Sequence, residues 1–262
     1  MNKNKIIILI LLLTFFSFSC REQDEPCECE PDAKIEKYSD YFIAHAGGAI
    51  DGIYYTNSVE ALNLSYSKGC RLFELDLVYT TDNKIVAKHD PPNLTEAEFM
   101  SQLISGKYTP MNMEAINLWF QHHPDAILVP DKIHDPQPIY DEFIFKDRLI
   151  MELLSWNAVD KAIELGITPL VSSDLIFDAE NIEKILFEKK ITYIGMSRYS
   201  IAGNENLLRK LKNKGIKNYI WHIDQEIMGL PGEYYVYNYE NDFVYGMYAD
   251  NLDLLDSLLH KQ

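Results

Sequence analysis

The sequence predicts an α/β chain folded as a (β/α)8 barrel of the TIM type, with a β-hairpin extension after the second strand. Three observations lead there. Eight short β-rich runs alternate with segments whose apolar residues fall at helical spacing. The runs are nearly continuous in apolar residues, which fits a parallel sheet covered on both faces. One further run follows the second after a gap too short for a parallel crossover, so it must return as a hairpin. Eight strands favour a closed barrel over an open doubly wound sheet.

In order, the runs are YFIAHA (41–46), RLFELDLV (71–78), AILVPD (126–131), RLIMELL (148–154), TPLVSS (168–173), ITYIGMS (191–197), NYIWHID (218–224) and FVYGMYAD (243–250). Between them, SVEALNLSYSKG, MEAINLWFQHH, AVDKAIELG, AENIEKILFEKK and NENLLRKLKNKG read as helices, several of them ending in glycine. The extra run is KIVAKHD (84–90), reached from the second strand through YTTDN. If Asp82 and Asn83 form a two-residue turn, Asp76 lies opposite His89, and Glu74 shares their face because strand neighbours two apart point the same way. A bulged three-residue turn would shift this pairing by one.

The chain has 262 residues, 47% of them hydrophobic, enough for a core of ordinary size. It carries 24 Lys+Arg against 40 Asp+Glu, a formal charge of -16, and no basic cluster. A nucleic-acid backbone is therefore not an expected partner.

Residues 1–19 read as a signal peptide: Lys3 and Lys5, then an apolar and hydroxylic stretch too short to span a bilayer. The SFSC ending resembles a bacterial lipoprotein signal, so Cys20 is the expected lipidation site, although Ser17 stands where leucine is usual; plain secretion is the alternative. The expectation is an exported lipoprotein of the cell envelope, touching the membrane only through its lipid anchor, because an acidic surface is repelled by anionic lipid. Residues 20–38 read as a flexible linker and 39–262 as the barrel domain. Cys27 and Cys29 fall in that linker, and pairing of either with Cys70 stays open.

In a barrel, residues at strand C-termini converge on one mouth. There the first strand offers His45, the second Glu74 and Asp76, the hairpin His89 and the next barrel strand Asp131. Two carboxylates two residues apart inside an apolar strand share a face, and leaving them unpaired costs several kcal/mol. A lysine or arginine from another strand could answer them. A divalent cation is the simpler answer, and hard oxygen ligands point to Mg²⁺ or Ca²⁺ over Zn²⁺. Gly47 and Gly48 either leave room for a ligand to come close or serve turn geometry. Trp156, Tyr199, Trp221 and Tyr248 near strand ends either line a pocket or pack the barrel.

The order and spacing of HAGG, NSVEAL, GCRLFELDLVYTTDNKIVAKHD, TPMNMEAINLW and VYGMYADNLD resemble the glycerophosphodiester phosphodiesterase family, most closely over 43–132 and again near 219–252. The resemblance implies a metal-dependent phosphoric diester hydrolase acting on a small-molecule or polymer diester. It implies His45 and His89 as the general acid and base, and Glu74 and Asp76 as ligands of the Ca²⁺ or Mg²⁺. Three departures stand out. The family usually carries arginine after the first histidine, where this chain has Ala46, so Lys132 or Arg198 is expected to bind substrate in its place, with Trp221 in the pocket wall. The usual Pro-Glu-Asn-Thr loop reads YTNS, which keeps Asn57. The usual Glu-x-Lys reads VPDKI, and Asp131 is preferred as third ligand because Pro130 has no side-chain oxygen. A barrel that binds polyol phosphate or polysaccharide without turnover is the competing reading.

Overall fold

The computed structural model describes residues 40–177 and 179–260. The expected signal peptide (1–19), Cys20 and the linker (20–38) lie outside the described residues. Each of the eight runs contains a strand; the first seven hold β1 (Phe42–Ala44), β2 (Leu72–Tyr79), β4 (Ile127–Asp131), β5 (Ile150–Leu153), β6 (Thr168–Ser172), β7 (Tyr193–Ser197) and β8 (Lys217–Trp221), and the additional run after the second holds the returning β3 (Ile85–Ala87). A short antiparallel pair, β9 (Glu226–Ile227) and β10 (Leu230–Pro231), precedes the last strand, β11 (Gly246–Ala249).

The eight parallel strands form a curled sheet. From β1 the pairing runs through β2 to β4 on one side and through β11, β8, β7 and β6 to β5 on the other. β4 meets the chain just before β5 at a single parallel bridge, Leu128 to Leu149. Helices occupy the connections, among them Val59–Ser67, Met113–His122, Trp156–Glu164, Ile182–Glu188 and Glu205–Asn213. Three start on side-chain caps, where Ser58, Asn112 and Ser155 accept from the backbone N–H groups of Ala61, Ala115 and Ala158. Each cap contributes about 1 kcal/mol. Gly69, Gly166 and Gly215 follow helix ends with φ of 92°, 76° and 85°, the left-handed region that favours glycine.

Strand alternation sorts the residues into two layers. Ile43, Leu72, Val129, Ile150, Leu170, Tyr219 and Tyr248, one from each of seven parallel strands, make a buried inner cluster. Their neighbours Phe42, Phe73, Leu128, Met151, Val171, Ile220 and Met247 face the larger core shared with the helices. Burying side chains of this size contributes roughly 1.5–3 kcal/mol apiece. Continuing the inner series along each strand reaches His45, Glu74 and Asp76, Asp131, Glu152, Trp221 and Asp250. The same alternation that fills the interior thus delivers polar groups to the strands' C-terminal ends.

The antiparallel β2–β3 pair corrects the two-residue turn. Leu77 faces Ala87 and Tyr79 faces Ile85, which puts Thr80 opposite Lys84 and leaves three residues, Thr81 to Asn83, in the turn. Thr80 N–H donates to the Lys84 carbonyl at 2.9 Å, and Asn83 adopts φ 57°. The extra residue moves the register by one: Asp76 accepts at its backbone carbonyl from Lys88 N–H at 2.8 Å, and His89 is not its directly opposed partner. Cys70 is a free thiol, fully buried, with Sγ donating to the carbonyls of Phe42 and Leu72. Burial pushes its pKa up to about 12.

Candidate active site

His45 directly follows β1 and opens the short turn His45–Gly47. Ala46 adopts the left-handed region, φ 48°, and its N–H donates to Glu74 Oε2 at 2.5 Å. Asn57, φ 47°, donates its own N–H to the Ala46 carbonyl at 3.1 Å. Its side chain then grips Asp76 twice: Nδ2 donates to Asp76 Oδ2, and Oδ1 accepts from Asp76 N–H, both at 2.9 Å. The two loops after β1 therefore fix both carboxylates of β2 through hydrogen bonds that leave other oxygens free.

The glycines after His45 serve packing. A Cβ on Gly48, where φ is 92°, would stand 2.3 Å from Ser65 Oγ, and one on Gly47 would meet Ala61 and Leu62. Ser65 Oγ in turn donates to the Gly47 carbonyl at 2.6 Å. The glycines let the His45 turn lie against helix Val59–Ser67, which is the turn-geometry reading.

Glu74, Asp76 and Asp131 each offer a carboxylate oxygen, and these lie within 4.8 Å of one another. Asp76 and Asp131 are register partners on adjacent strands. Glu74 Oε1 is buried with no hydrogen-bond partner among the described residues. Burial first, then the charges of Asp76 and Asp131, holds the Glu74 carboxyl well above the usual carboxylate range. Lys132, at φ 68°, brings Nζ to 3.4 Å from Asp76 and 3.5 Å from Asp131. Burial works against its charge, but Asp131 and Asp76 prevail and its pKa is raised. With all three carboxylates ionised around it, a divalent cation would offset the charge that Lys132 alone leaves unbalanced. The orphaned Glu74 oxygen and the all-oxygen donor set fit a hard cation such as Mg²⁺ or Ca²⁺.

Both predicted histidines reach the same place. His45, Tyr55, Glu74, Asp76, His89, Asp131, Lys132, His134, Glu152, Leu154, Trp221, His222 and Tyr248 line one cleft of about 280 Å³. His45 Nδ1 lies 3.0 Å from Asp250 Oδ1, an acceptor that favours the tautomer with a proton on Nδ1. His89 Nδ1 lies 3.2 Å from Asp90 Oδ1. The Tyr55 ring touches both imidazoles edge-on, at centroid distances of 4.9 Å to His45 and 5.1 Å to His89. Burial, then the charges of Asp250, Asp76 and Glu74, raises the Tyr55 pKa, so its hydroxyl stays a neutral donor.

Trp221 stands in the wall, edge-on to Tyr248 at 5.8 Å. Arg198 does not line the cleft; its guanidinium is held by Glu240, Nη2 donating to Oε1 at 2.5 Å. A larger hollow of about 820 Å³ lies between helices Ile182–Glu188 and Glu205–Asn213, beside the strands' N-terminal ends and away from every acid of the cluster. Its walls are mostly apolar, so volume alone does not locate the chemistry.

Sequence reasoning had not given roles to Asp250, Glu152, Tyr55, His134 or His222. The position of Asp250 at the end of the last run carried a signal, as did the two-residue offset of Glu152 from Ile150. His134 and His222 sit in loops whose geometry no pattern announces; His222 has φ 58° and its Nδ1 lies 2.9 Å from Ser197 Oγ. Glu152, almost wholly buried, has its pKa raised to about 8 by burial and then by Asp131, with Lys132 opposing.

Neither a protein-family model nor a curated protein matches the sequence. Solved structures do. A glycerophosphodiester phosphodiesterase from Thermotoga maritima superposes with a TM-score of 0.64 at 18% identity, covering 83% of this chain and 97% of that chain. One from Galdieria sulphuraria, described as putative, gives 0.66 at 12% identity over 84% and 97%. A phosphodiesterase from Oleispira antarctica, solved with its product sn-glycerol-3-phosphate, gives 0.63 at 16% identity over 87% and 99%. The chain therefore has the fold of the glycerophosphodiester phosphodiesterases.

Proposed function

We propose that this chain is a member of the glycerophosphodiester phosphodiesterase family: a closed (β/α)8 barrel that hydrolyses glycerophosphodiesters, or a related polyol-phosphate diester, with a bound Ca²⁺ or Mg²⁺. One observation carries the reading. Three carboxylates converge within 4.8 Å in the same cleft as His45, backed by Asp250, and His89. The solved neighbours, one holding a glycerol phosphate product, supply the substrate class.

Glu74, Asp76 and Asp131 would hold the cation, which when bound offsets phosphate charge and aligns the diester for displacement. His45 is the base in the first step: Nε2 takes the proton of the glycerol hydroxyl that attacks phosphorus, while Asp250 stabilises the imidazolium. His89 is the acid, protonating the alcohol oxygen as its bond to phosphorus breaks. Water then opens the cyclic phosphate with the two roles reversed. Lys132 takes over phosphate contact in place of the arginine that Ala46 replaces, and Trp221 packs against the substrate. Arg198 is left out, because Glu240 already satisfies it.

The same proposal extends to location: residues 1–19 direct export and Cys20 is lipidated, so the barrel hangs on the envelope by a linker. No helix among the described residues is long and apolar enough to cross a membrane.

The test is hydrolysis of bis(p-nitrophenyl) phosphate and a glycerophosphodiester panel with Ca²⁺ or Mg²⁺, with and without chelator, for wild type and His45→Ala. Activity that requires the cation and disappears in the variant is expected. Activity indifferent to both removes His45 and the cation from the mechanism. The position of Lys132 between Asp76 and Asp131 favours the second reading, polyol-phosphate or polysaccharide binding without turnover, and binding with no hydrolysis across the panel would establish it.

A further inference from the structure

A second hollow, about 320 Å³, adjoins the cleft and is lined by Tyr55, Thr56, Lys88, His89, Asp90 and Ile104. Tyr55 and His89 line both spaces, and their rings touch edge-on at a centroid distance of 5.1 Å. Lys88 is fixed at its backbone by the bond from its N–H to the Asp76 carbonyl, which ties the hollow to the strand bearing Glu74 and Asp76. The residue is half-buried, and its ammonium has no hydrogen bond, ion pair or ring contact among the described residues. The acid two positions on, Asp90, is turned to His89 instead, with a side chain 81% exposed to screening water. Thr56 is buried and its hydroxyl is shared with Ser58 Oγ at 3.0 Å.

We propose that this hollow receives the alcohol that leaves the diester, and that Lys88 recognises an anionic substituent, phosphate or carboxylate, on that alcohol. The proposal deepens the phosphodiesterase reading and rests on it. A general acid must face the oxygen it protonates. In the first step the phosphorus–oxygen bond to the alcohol breaks as the bond from the attacking hydroxyl forms; the alcohol oxygen takes its proton from His89, and the hydroxyl proton passes to His45. His89 opens onto the second hollow as well as the first, so the alcohol departs past it into that space. Ile104 gives the carbon skeleton one apolar wall. In a chain of net charge -16, Lys88 is, among the described residues, the one lysine or arginine lining this hollow, and its unpartnered ammonium draws an anion to the end of the leaving group while the exposed Asp90 opposes it only through screening water.

Three diesters with the same glycerophosphoryl half and glycerol, glycerol phosphate or glycerate as leaving group test this, using the full chain, Lys88→Gln and Lys88→Arg. Wild type is expected to favour the anionic leaving groups over glycerol about fivefold in kcat/KM, the size of one partly exposed charge contact. Lys88→Gln abolishes that ratio and Lys88→Arg keeps it. Taking the ratio within each variant cancels any disturbance of the neighbouring His89. A preference for the phosphate arm alone, or for both anions, sustains the site and identifies its ligand. Equal ratios in wild type and Lys88→Gln overturn it. If no diester is hydrolysed, the phosphodiesterase reading fails. Calorimetric titration with glycerol phosphate and glycerate then decides the subsite: weaker binding to Lys88→Gln than to wild type upholds it, and equal or absent binding removes it.

Discussion

Replacing Asp250 by asparagine isolates the contact that orients His45. Asp250 is not among the side chains that line the cleft, so it acts on substrate only through the imidazole. The bond is 3.0 Å long and its two side chains are 23% and 24% exposed. A charge-assisted hydrogen bond is worth roughly 1.5–3 kcal/mol net, and partial exposure places this one near about 2 kcal/mol. At about 1.4 kcal/mol per factor of ten, kcat should fall about 30-fold. An asparagine amide donating to Nδ1 would also favour the wrong tautomer, so the variant should be no better than Asp250→Ala. Steady-state hydrolysis of a glycerophosphodiester, with thermal unfolding as a check on folding, makes the measurement. A kcat within twofold of wild type, or a loss confined to KM, would refute His45 as an Asp250-oriented base.

Other consequences follow from the same geometry. Glu152 is held near 8 in the fold but ionises near 4.5 unfolded, so between those values the folded state keeps a proton that the unfolded chain has lost. Its contribution is complete below about 4.5 and fades as pH rises towards 8, by on the order of 1 kcal/mol per pH unit, and urea unfolding in chelator should show Glu152→Gln with a flatter profile. Glu74→Gln should bind the cation more weakly and release fewer protons on binding than wild type, read by calorimetry in two buffers of different ionisation enthalpy, because burial and the neighbouring Asp76 and Asp131 raise the proton affinity of the wild-type carboxyl and a cation competes with that proton. Gly48→Ala should lower stability by about 1–3 kcal/mol in thermal or urea unfolding, since its Cβ meets Ser65 Oγ at 2.3 Å and its φ is 92°.

Much of this was legible in the sequence because period-two alternation is strict in buried strands. Given Leu72 as an inward residue, Glu74 and Asp76 had to follow it, and the structure seats all three on the inner face. Several strand ends were equally readable, since runs such as YFIAHA and AILVPD close on a polar group, whereas β2 runs on past Glu74 and Asp76 to Tyr79. The hairpin register was not, because Asn83 in the left-handed region adds a residue that composition alone does not reveal. Arg198 lay beyond reach for another reason. Its partner Glu240 belongs to a π-helical turn, Val236–Glu240, in a segment after β8 that shows neither strand nor helix periodicity. Glu152 was hidden inside an apolar run where only its offset from Ile150 betrayed its face. The glycines after His45 were ambiguous because chain flexibility and close packing select the same residue.

The central claim is a single divalent cation held by oxygens from β2 and β4 beside His45 and His89. Crystals equilibrated with Mn²⁺, which prefers such oxygen ligands, report its position directly through anomalous scattering. The account predicts one strong peak coordinated by Glu74, Asp76 and Asp131. A peak elsewhere, or a bare cluster at saturating Mn²⁺, would contradict it.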